Sequence, residues 1–276
     1  MACTLQALQD VEYEILCKFA DFCDANRIPY GLSGGTLLGA IRHNGFIPWD
    51  DDVDVHMEIH AFRKFLRCYR RHPIPGLHLS WIDSDGEYPH YFAKLRRNGT
   101  FMPEELNGDF DQHNGVWIDI FVYHGVPNNR FLFALQQKLY FIFATAARMH
   151  ANKRLDRVDH VEFDYSRQYR LLAGMSRKSL QRVRRLFFFL YGHIGSRRSE
   201  YICYNDWHLE PKEKLPRSFE LPLTKHVFRD REFSIPQNYD AALTKQYGNY
   251  MKPVMYPSHT KLTHVELDAH DRRDTK

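Results

Sequence analysis

The chain has 276 residues and a mass of 32.9 kDa. Its 43% hydrophobic, 26% charged and 14% aromatic residues are typical of a globular protein and exclude disorder, collagen and coiled coil. A chain of this length buries enough surface to fold without disulfides or a structural metal. Its 38 basic and 34 acidic residues give a formal net charge of +4, which is too small an excess for a dedicated nucleic-acid binder.

Cysteine use and the apolar segments bear on the compartment. The five cysteines are an odd number and form no Cys-x-x-Cys pair, so we predict neither a disulfide framework nor a zinc site. Asp10, Glu12 and Glu14 occupy the region where a signal peptide would need an apolar core. The apolar runs 139–147 and 186–191 are too short to cross a bilayer. We therefore expect a cytoplasmic protein, free or peripheral on the inner face of the cell membrane.

The first part of the chain predicts a helix followed by a strand, a turn and a second helix. Apolar residues recur at the three- and four-residue spacing of an amphipathic helix over 5–23, and Pro29 ends that helix. The pattern then predicts a short strand at 30–33, a glycine turn and a short helix at 36–42. A loop at 44–49 leads to a strand at 52–57, with acids on one face and Val53, Val55 and Met57 on the other.

The predicted secondary structure changes from mixed helices and strands to mainly helices near residue 127. Before that point the sequence predicts a basic helix and three strands, at 61–71, 77–82, 91–96 and 116–123. After it, two helices are predicted at 131–150 and 179–194, and the tail from 211 has proline, strand and turn signals. We predict an α+β fold in which 1–127 form a mixed-sheet core and 128–276 form a helical extension and a C-terminal segment packed on that core as one structural unit.

An acidic run beside a predicted strand is the most informative segment. Asp50, Asp51, Asp52 and Asp54 place four carboxylates within five residues. Two like charges a few ångströms apart repel by about 4 kcal/mol at an effective dielectric near 20. The alternation with Val53 puts Asp52 and Asp54 on the same side, where they can converge on a hard divalent ion such as Mg²⁺, or Mn²⁺ in its place. An acidic loop in solvent is the competing interpretation.

Two further elements accompany the acids. Gly34 and Gly35 lie between a predicted strand and a predicted helix, where backbone amides can approach a phosphate, and Thr36 can add a hydroxyl. Asp119 lies in the apolar strand sequence WIDIF, so its carboxylate needs a metal, an attacking hydroxyl or a salt bridge as partner. The acids, the glycine turn and Asp119 together are typical of a phosphoryl-transfer site.

These motifs belong to a longer pattern that resembles a known family. The run SGGTLLGAIRHNGFIPWDDDVDVHM at 33–57 resembles the signature of the LicD family, shared with fukutin-related proteins. The resemblance extends to KLR at 94–96, WIDIF at 117–121 and FSIPQNYDAALTKQYGNYM at 233–251, whereas 130–210 matches only loosely. It implies the nucleotidyltransferase fold typified by DNA polymerase beta, an α+β fold whose mixed β-sheet is flanked by helices, here with a helical C-terminal extension.

The resemblance implies a role for each residue of the motifs. Asp52, Asp54 and Asp119 become the catalytic acids and metal ligands, with Asp119 as ligand, base or both. Asp50 becomes a reserve metal ligand, and the glycines become the phosphate-facing turn. Basic side chains could also clamp a diphosphate, although solvated surface roles compete with that interpretation. The predicted substrate-binding set is therefore Gly34, Gly35, Thr36, Arg42, Lys94 and Arg96.

The activity implied by the resemblance is transfer of phosphocholine from CDP-choline to a hydroxyl of a cell-surface glycan, releasing CMP. The acceptor would be lipopolysaccharide, teichoic acid or capsule, present as a free or a lipid-linked glycan. Two enzymatic alternatives stay open. One is transfer of another CDP-linked group, ribitol or glycerol phosphate, and the other is nucleotidyl transfer with pyrophosphate as the leaving group.

Three further patterns have competing interpretations. We interpret His56, at the third inward position of the acidic strand, as a bystander rather than a ligand. Segment 167–198 has nine basic residues and no acid, so it could rest on an anionic membrane leaflet or form a solvated helix face, and RNA binding is a weaker third interpretation. If the protein is not an enzyme, the alternative is a non-catalytic module that binds a membrane or a nucleic acid. We nevertheless expect no nucleic-acid partner. Five aromatic residues have two interpretations: they contribute to an aromatic box that binds a quaternary ammonium group, or they are buried in the core. These residues are Trp81, Tyr88, Tyr91, Trp117 and Tyr123.

Overall fold

The computed structural model describes residues 3–85, 88, 90, 92–102, 113–151, 172, 174–194, 198–205, 214–255 and 262–268. The helices in these ranges are α1 (Leu5–Ala25), α2 (Gly34–His43), α3 (Ile59–Arg71), α4 (Arg130–Ala151), α5 (Arg177–Ile194) and α6 (Tyr239–Tyr247). Short 3₁₀ turns occur at Arg217–Phe219 and Leu262–His264.

Local sequence explains where the first three helices begin and end. The Thr4 side chain caps α1 by accepting a hydrogen bond from the Ala7 amide at 3.2 Å. The Glu58 carboxylate caps α3 by accepting from the His60 amide at 2.9 Å. Asn44 ends α2 because it adopts the left-handed conformation, with φ at +53°. Helix α2 therefore ends at the start of the loop that leads to the acidic run.

One mixed sheet forms the centre of the molecule. Its strands are β1 (Gly31–Leu32), β2 (Asp54–Glu58), β3 (Leu77–Ser80), β4 (Ala93–Arg97), β5 (Trp117–Val126), β6 (Tyr201–Asn205) and β7 (Leu215–Pro216). The order is β1-β2-β5-β4-β3, with β2 and β5 parallel and the other pairs antiparallel. The long strand β5 pairs with β4 through its first half and with β6 through its second half, and β7 pairs with β6.

The two faces of the sheet differ in chemistry because side chains alternate along each strand. Val55 and Met57 of β2 and Ile118 and Ile120 of β5 are fully buried on the face covered by α1 and α3. The opposite face carries polar residues that the strand register places side by side. One such row crosses four strands through Asp54, Asp119, Lys94 and Ser80. The fold therefore gathers predicted site residues that are far apart in sequence.

The C-terminal part returns to the beginning of the fold. Strands β8 (Leu223–Phe228) and β9 (Arg231–Pro236) form a hairpin that packs beside β1 and α2. The Arg229 amide donates to the Asn44 carbonyl at 2.7 Å, and His226 lies 3.2 Å from the Ala40 carbonyl. Helix α6 follows and also contacts α2. The tail thus lies next to the glycine turn and the acidic run.

The structure confirms most predicted elements and differs from the sequence-based prediction in three places. The α+β class and the mixed sheet flanked by helices are confirmed. Strand β6 was not predicted and adds to the sheet, whereas β7, β8 and β9 lie in the tail for which strand signals were predicted. Strand β2 begins at Asp54, so Asp52 precedes it instead of lying in it. Helix α6 was not predicted because its apolar pattern is weak and only Leu243 is buried.

Within the residues that the structure describes, no helix has the length and apolarity needed to span a bilayer.

Candidate active site

A cleft of about 290 Å³ lies where α2, the acidic run and the residues after α6 meet. Most of the predicted acids face it together with residues from the C-terminal segment. Its lining includes Gly35, Leu38, Arg42, Ile47, Trp49, Asp50, Asp51, Asp52, Asp54, Tyr247, Asn249, Tyr250, Lys252 and Val254. Residues separated by about 200 positions in sequence therefore share one concave surface, which is the usual form of a small-molecule site.

Main-chain hydrogen bonds fix Asp54 at the edge of this cleft. The Asp54 amide donates to the Thr36 hydroxyl at 2.8 Å, and the Asp54 carbonyl accepts from the Ser33 amide at 3.0 Å. Gly34 adopts a φ of +52°, and a Cβ added there would lie 2.6 Å from the Asp54 carboxylate. The turn therefore requires glycine both for its backbone conformation and for the space that the carboxylate occupies.

Asp50 has the same relation to the second glycine. A Cβ at Gly35 would lie 2.6 Å from Asp50 Oδ2. The loop that carries Asp50 is also tied to α1, because the buried Gln9 amide donates to the Asp50 carbonyl at 2.8 Å. The glycine pair thus lets two carboxylates lie against the first turn of α2. Helix N-termini favour negative charge, so this position suits both the acids and a phosphate group.

Asp119 extends the acidic site across the sheet. Its amide donates to the Val53 carbonyl at 2.8 Å, and its register partner on β2 is Asp54. On the other side, Lys94 Nζ lies 2.9 Å from Asp119 Oδ1, and both side chains are almost fully buried. Lys94 also lies 4.1 Å above the Trp117 ring. The structure therefore gives Asp119 the salt-bridge partner that the sequence left as one of three alternatives.

The crowded carboxylates have strongly perturbed proton affinities. Burial, followed by the negative charge of Asp50, raises the pKa of Asp52 to about 8. Burial and the charge of Asp52 raise the pKa of Asp54 well above its ordinary value. Lys94 acts in the opposite direction on both acids but offsets only part of these effects. Without a compensating cation the site therefore retains protons, and a divalent ion would compete for the same oxygens.

Glu12 is an acidic neighbour that the sequence interpretation missed. It belongs to the buried side of α1, has no exposed surface, and neither of its carboxylate oxygens has a hydrogen-bond partner. Burial and the charges of Asp52, Asp51, Asp50 and Asp119 raise its pKa well above the ordinary value. One signal was available in the sequence, because Glu12 lies four residues after Leu8 on the apolar stripe of the helix.

The carboxylates at this site are suitable ligands for a hard divalent cation, although the described side chains do not form a complete coordination sphere. Among the described residues, no group of three or more His, Cys, Asp or Glu side chains lies close enough to hold a metal ion. Asp50, Asp52, Asp54 and Asp119 nevertheless offer only carboxylate oxygens, which Mg²⁺ prefers, and the raised pKa values of Asp52 and Asp54 reflect charge that a cation would neutralise. The residues present therefore fit the predicted metal by their chemistry.

The other predicted binding residues have differing environments. Arg42 lines the cleft, and its Nη1 donates to the Tyr250 carbonyl at 2.6 Å. Thr36 is buried and its hydroxyl accepts from Asp54, as described above. Lys94 and Arg96 lie outside the cleft lining, and Arg96 is fully buried, donating to the Ser80 hydroxyl and the Gly115 carbonyl. This geometry gives no support to a diphosphate contact by Arg96, which stays a prediction.

His56 lies outside the cleft lining and contacts the C-terminal part of the chain. It is buried, with Nε2 3.0 Å from Glu220 Oε2. Burial lowers the pKa of His56 to about 3 and raises the pKa of Glu220 to about 8, so burial favours the neutral form of each. The two side chains link β2 to the segment that precedes β8.

Aromatic residues of the cleft were also missed. Trp49, Tyr247 and Tyr250 line it, and none of them belongs to the predicted aromatic set. In that set Trp81, Tyr88 and Tyr123 are buried core residues, Trp117 lies beneath Lys94 and Arg96, and Tyr91 lies outside the described residues. The motif FSIPQNYDAALTKQYGNYM contained the needed signal, since Tyr247 and Tyr250 are part of it.

Comparison with known proteins shows which family this chain resembles. A family profile described as LicD/FKTN/FKRP, nucleotidyltransferase domain, matches residues 27–144, which include the glycine turn, the acidic run and Asp119. The lipopolysaccharide cholinephosphotransferase LicD of Haemophilus influenzae is 28% identical over 254 residues, covering 90% of this chain and 92% of that protein. Both similarities support an assignment of this chain to the LicD family.

A second similar protein shares a shorter segment with this chain. Human ribitol 5-phosphate transferase FKRP is 42% identical over 53 residues, covering 19% of this chain and 10% of FKRP. The mouse protein of the same name matches over the same length with the same identity. By their names, the two kinds of relative transfer different phosphate-bearing groups.

The raised pKa of Asp52 predicts a pH effect in the metal-free protein. The folded state retains this proton up to about pH 8, whereas an unfolded aspartate loses it near pH 4. The folded state therefore binds more protons between these two pKa values, and the contribution of Asp52 to stability should fall as the pH rises from about 6.5 to 8. Mg²⁺ should raise Tm more at about pH 8 than at about pH 6.5, because fewer protons compete for the site.

Thermal unfolding followed by circular dichroism, with MgCl₂ or NaCl of equal ionic strength, measures this effect. Asp52→Asn is the matched variant and should lose most of the Mg²⁺-dependent increase in Tm. A wild-type Tm that is indifferent to Mg²⁺ at the higher pH would contradict the assignment of Asp52 as a ligand.

Substitution of Glu12 tests the acidic neighbour separately. Glu12→Gln keeps the shape of the side chain and removes a carboxylate that faces the aspartates. We expect a higher Tm in the absence of metal, by an amount corresponding to about 1 kcal/mol, and a smaller increase on adding Mg²⁺. Glu14→Gln, on the exposed side of the same helix, is the control and should leave the Mg²⁺ response unchanged. A large loss of metal-free stability with a normal Mg²⁺ response would instead show that Glu12 serves packing alone.

Proposed function

We propose that this protein is a Mg²⁺-dependent phosphotransferase that moves phosphocholine from CDP-choline to a hydroxyl of a cell-surface glycan and releases CMP. The observation that carries the proposal is the pair of half-buried carboxylates with raised pKa values, Asp52 and Asp54, beside the Gly34–Gly35 turn on an open cleft. The relation to a lipopolysaccharide cholinephosphotransferase over 90% of the chain supports the transferred group and the acceptor class.

The arrangement suits a diphosphate donor. The amides of the first turn of α2 and the side chain of Arg42 lie on the same cleft as the aspartates, so a diphosphate bound there would meet donors and a positive charge. A divalent cation held by Asp52, Asp54 and Asp119, with Asp50 in reserve, would neutralise negative charge on the donor phosphates. The rings of Trp49, Tyr247 and Tyr250 offer faces that attract a quaternary ammonium group by about 0.5 to 2 kcal/mol each.

The reaction is a displacement at phosphorus. The acceptor oxygen forms a bond to the phosphorus of phosphocholine, the bond from that phosphorus to the CMP oxygen breaks, and CMP leaves with the electron pair. The glycine turn orients the diphosphate for this in-line geometry. Asp119 lies one strand farther from α2 than Asp54, so we assign it to the acceptor side, where its carboxylate accepts the hydroxyl proton. Its partner Lys94 holds that carboxylate in place.

A second candidate is transfer of ribitol phosphate from CDP-ribitol. It is favoured by the 42% identity to ribitol 5-phosphate transferase FKRP, although that similarity covers only 53 residues. Because the acids and the glycine turn contact the diphosphate, they would serve either donor. The cleft residues from the C-terminal segment are the ones that would distinguish the two head groups.

A donor panel tests the proposal. CDP-choline, CDP-ribitol, CDP-glycerol and CTP are titrated into the full-length protein by calorimetry, with Mg²⁺ and with EDTA. We expect CDP-choline to bind at least about tenfold more tightly than the others, since binding energy from about one cation-π contact amounts to that factor, and to depend on Mg²⁺. Equal affinity for all four would refute the donor assignment. Release of pyrophosphate from CTP, and of no CMP from a CDP-alcohol, would support nucleotidyl transfer.

The aspartates are tested by turnover. With CDP-choline and purified lipopolysaccharide, Asp54→Asn should lower the rate of CMP release by about 10²-fold or more, because the site loses a charge that acts on the reacting phosphate. Asp24→Asn, which changes an exposed aspartate in α1, is the control and should keep the wild-type rate. Circular dichroism checks that both variants fold. Near-normal CMP release by Asp54→Asn would exclude it as a ligand.

A further inference from the structure

Helices α4 and α5 differ in charge from the rest of the molecule. Together they contain eight Lys and Arg residues and no Asp or Glu. Subtracting these eight charges from the net +4 of the chain leaves −4 for all other residues. The net charge of the chain is small, but its positive charge is concentrated in this pair of helices. This distribution predicts that the two helices are attracted to a polyanionic partner.

The two helices pack against each other and against the core through their inner faces. Phe143 of α4 and Phe188 of α5 lie with ring centroids 5.8 Å apart, and Phe188 also contacts Phe62 and Trp81. Farther along, Ala146 of α4 shares a buried cluster with Leu180 of α5, so the helices run antiparallel. Their outer faces therefore both point away from the sheet.

These helices expose several large apolar side chains. Phe131 at the start of α4 is 87% exposed, and Phe189 in α5 is 55% exposed. The exposed set consists of Phe131, Leu132, Leu135, Leu186, Phe189 and Leu190. Isolated exposed apolar residues are ordinary, but six on one helix pair with no acidic residue in either helix are typical of an interaction surface. This set of six residues is called the apolar patch.

Basic side chains are interleaved with this patch. Arg130 and Lys138 of α4 and Lys178 and Arg182 of α5 are exposed. The two arginines after Val183 have partners in the protein: Arg184 is buried and donates to the Tyr88 carbonyl, and Arg185 pairs with Asp83. The exposed bases thus frame the apolar residues, as on helices that lie in the plane of a membrane surface.

We propose that the outer faces of α4 and α5 dock this protein on the surface of a membrane that contains anionic lipids. Phe131 and the leucines would enter the boundary between head groups and acyl chains, while the bases would contact lipid phosphates, each contributing about 1 kcal/mol near an anionic surface. A polyanion without an apolar phase, such as RNA, would leave the apolar side chains in water. A second copy of the chain would bring the same positive charges together.

The docking surface and the reaction cleft are separate. No residue of the exposed set lines the cleft, which lies between α2 and the C-terminal segment. The inner face of α5 instead covers Phe62 of α3 and Trp81 after β3. Substitutions on the outer faces should therefore change membrane binding and leave turnover with a soluble acceptor intact, so failure of this inference and failure of the proposed function are distinguishable.

Co-sedimentation of the full-length protein with vesicles tests the proposal. We expect binding to phosphatidylcholine vesicles that contain phosphatidylglycerol, at least about tenfold weaker binding to phosphatidylcholine alone, and loss of binding in high salt. Phe131→Ser combined with Leu186→Ser should reduce the bound fraction, and Arg182→Glu should reduce it further at low salt. The matched controls are Val227→Ser and Lys225→Glu on β8, which change an exposed apolar and an exposed basic residue elsewhere and should bind as the wild type does.

Three outcomes would overturn the proposal. One is failure of the wild-type protein to sediment with the anionic vesicles. Another is equal binding of the outer-face variants and the wild type. The third is a wild-type dimer, measured by analytical ultracentrifugation, that Phe131→Ser and Leu186→Ser convert to monomer without any change in vesicle binding. That result would show that a second copy covers the patch.

Discussion

The position of Asp54 depends on a clamp between a strand and a helix N-terminus. Its amide and its carbonyl are both bonded to the turn that carries Ser33 and Thr36, while its side chain occupies the space left by Gly34. Register with β5 then brings Asp119 and Lys94 beside it. A single local contact thus aligns the first turn of α2, the acidic run and the central strand, and every other site residue is placed relative to it.

The cost of this arrangement is electrostatic. Burial and mutual negative charge raise the pKa values of Glu12, Asp52 and Asp54, and Lys94 offsets only part of this effect on the two aspartates. Natural proteins tolerate such crowding where the strain serves a function. If the site binds a divalent cation, as proposed, neutralisation of this unfavourable charge would contribute to the binding free energy of the cation.

The sequence predicted the elements whose signals are local. The glycine pair, the alternation around Val53 and the apolar strand around Asp119 each specify their own conformation, and the structure brings Asp54 and Asp119 into register as neighbours. The sequence could not show which distant residues complete the site. Tyr247 and Lys252 reach the cleft only because the β8–β9 hairpin returns to α2, and that packing depends on long-range contacts such as the Arg229 amide with the Asn44 carbonyl. Strand β2 was predicted two residues too early because alternation continues through Asp52 before the pairing begins.

The steric fit between each glycine and its carboxylate also constrains how the protein can evolve. Gly34 with Asp54, and Gly35 with Asp50, form two interlocked pairs whose members are encoded 15 to 20 codons apart. Enlarging a glycine alone would collide with its acid, whereas shortening the acid alone would leave a gap at the helix terminus. Descendants of this gene should therefore inherit or lose the two motifs together, and an engineer who transplants the acidic strand to another scaffold must carry the turn along with it.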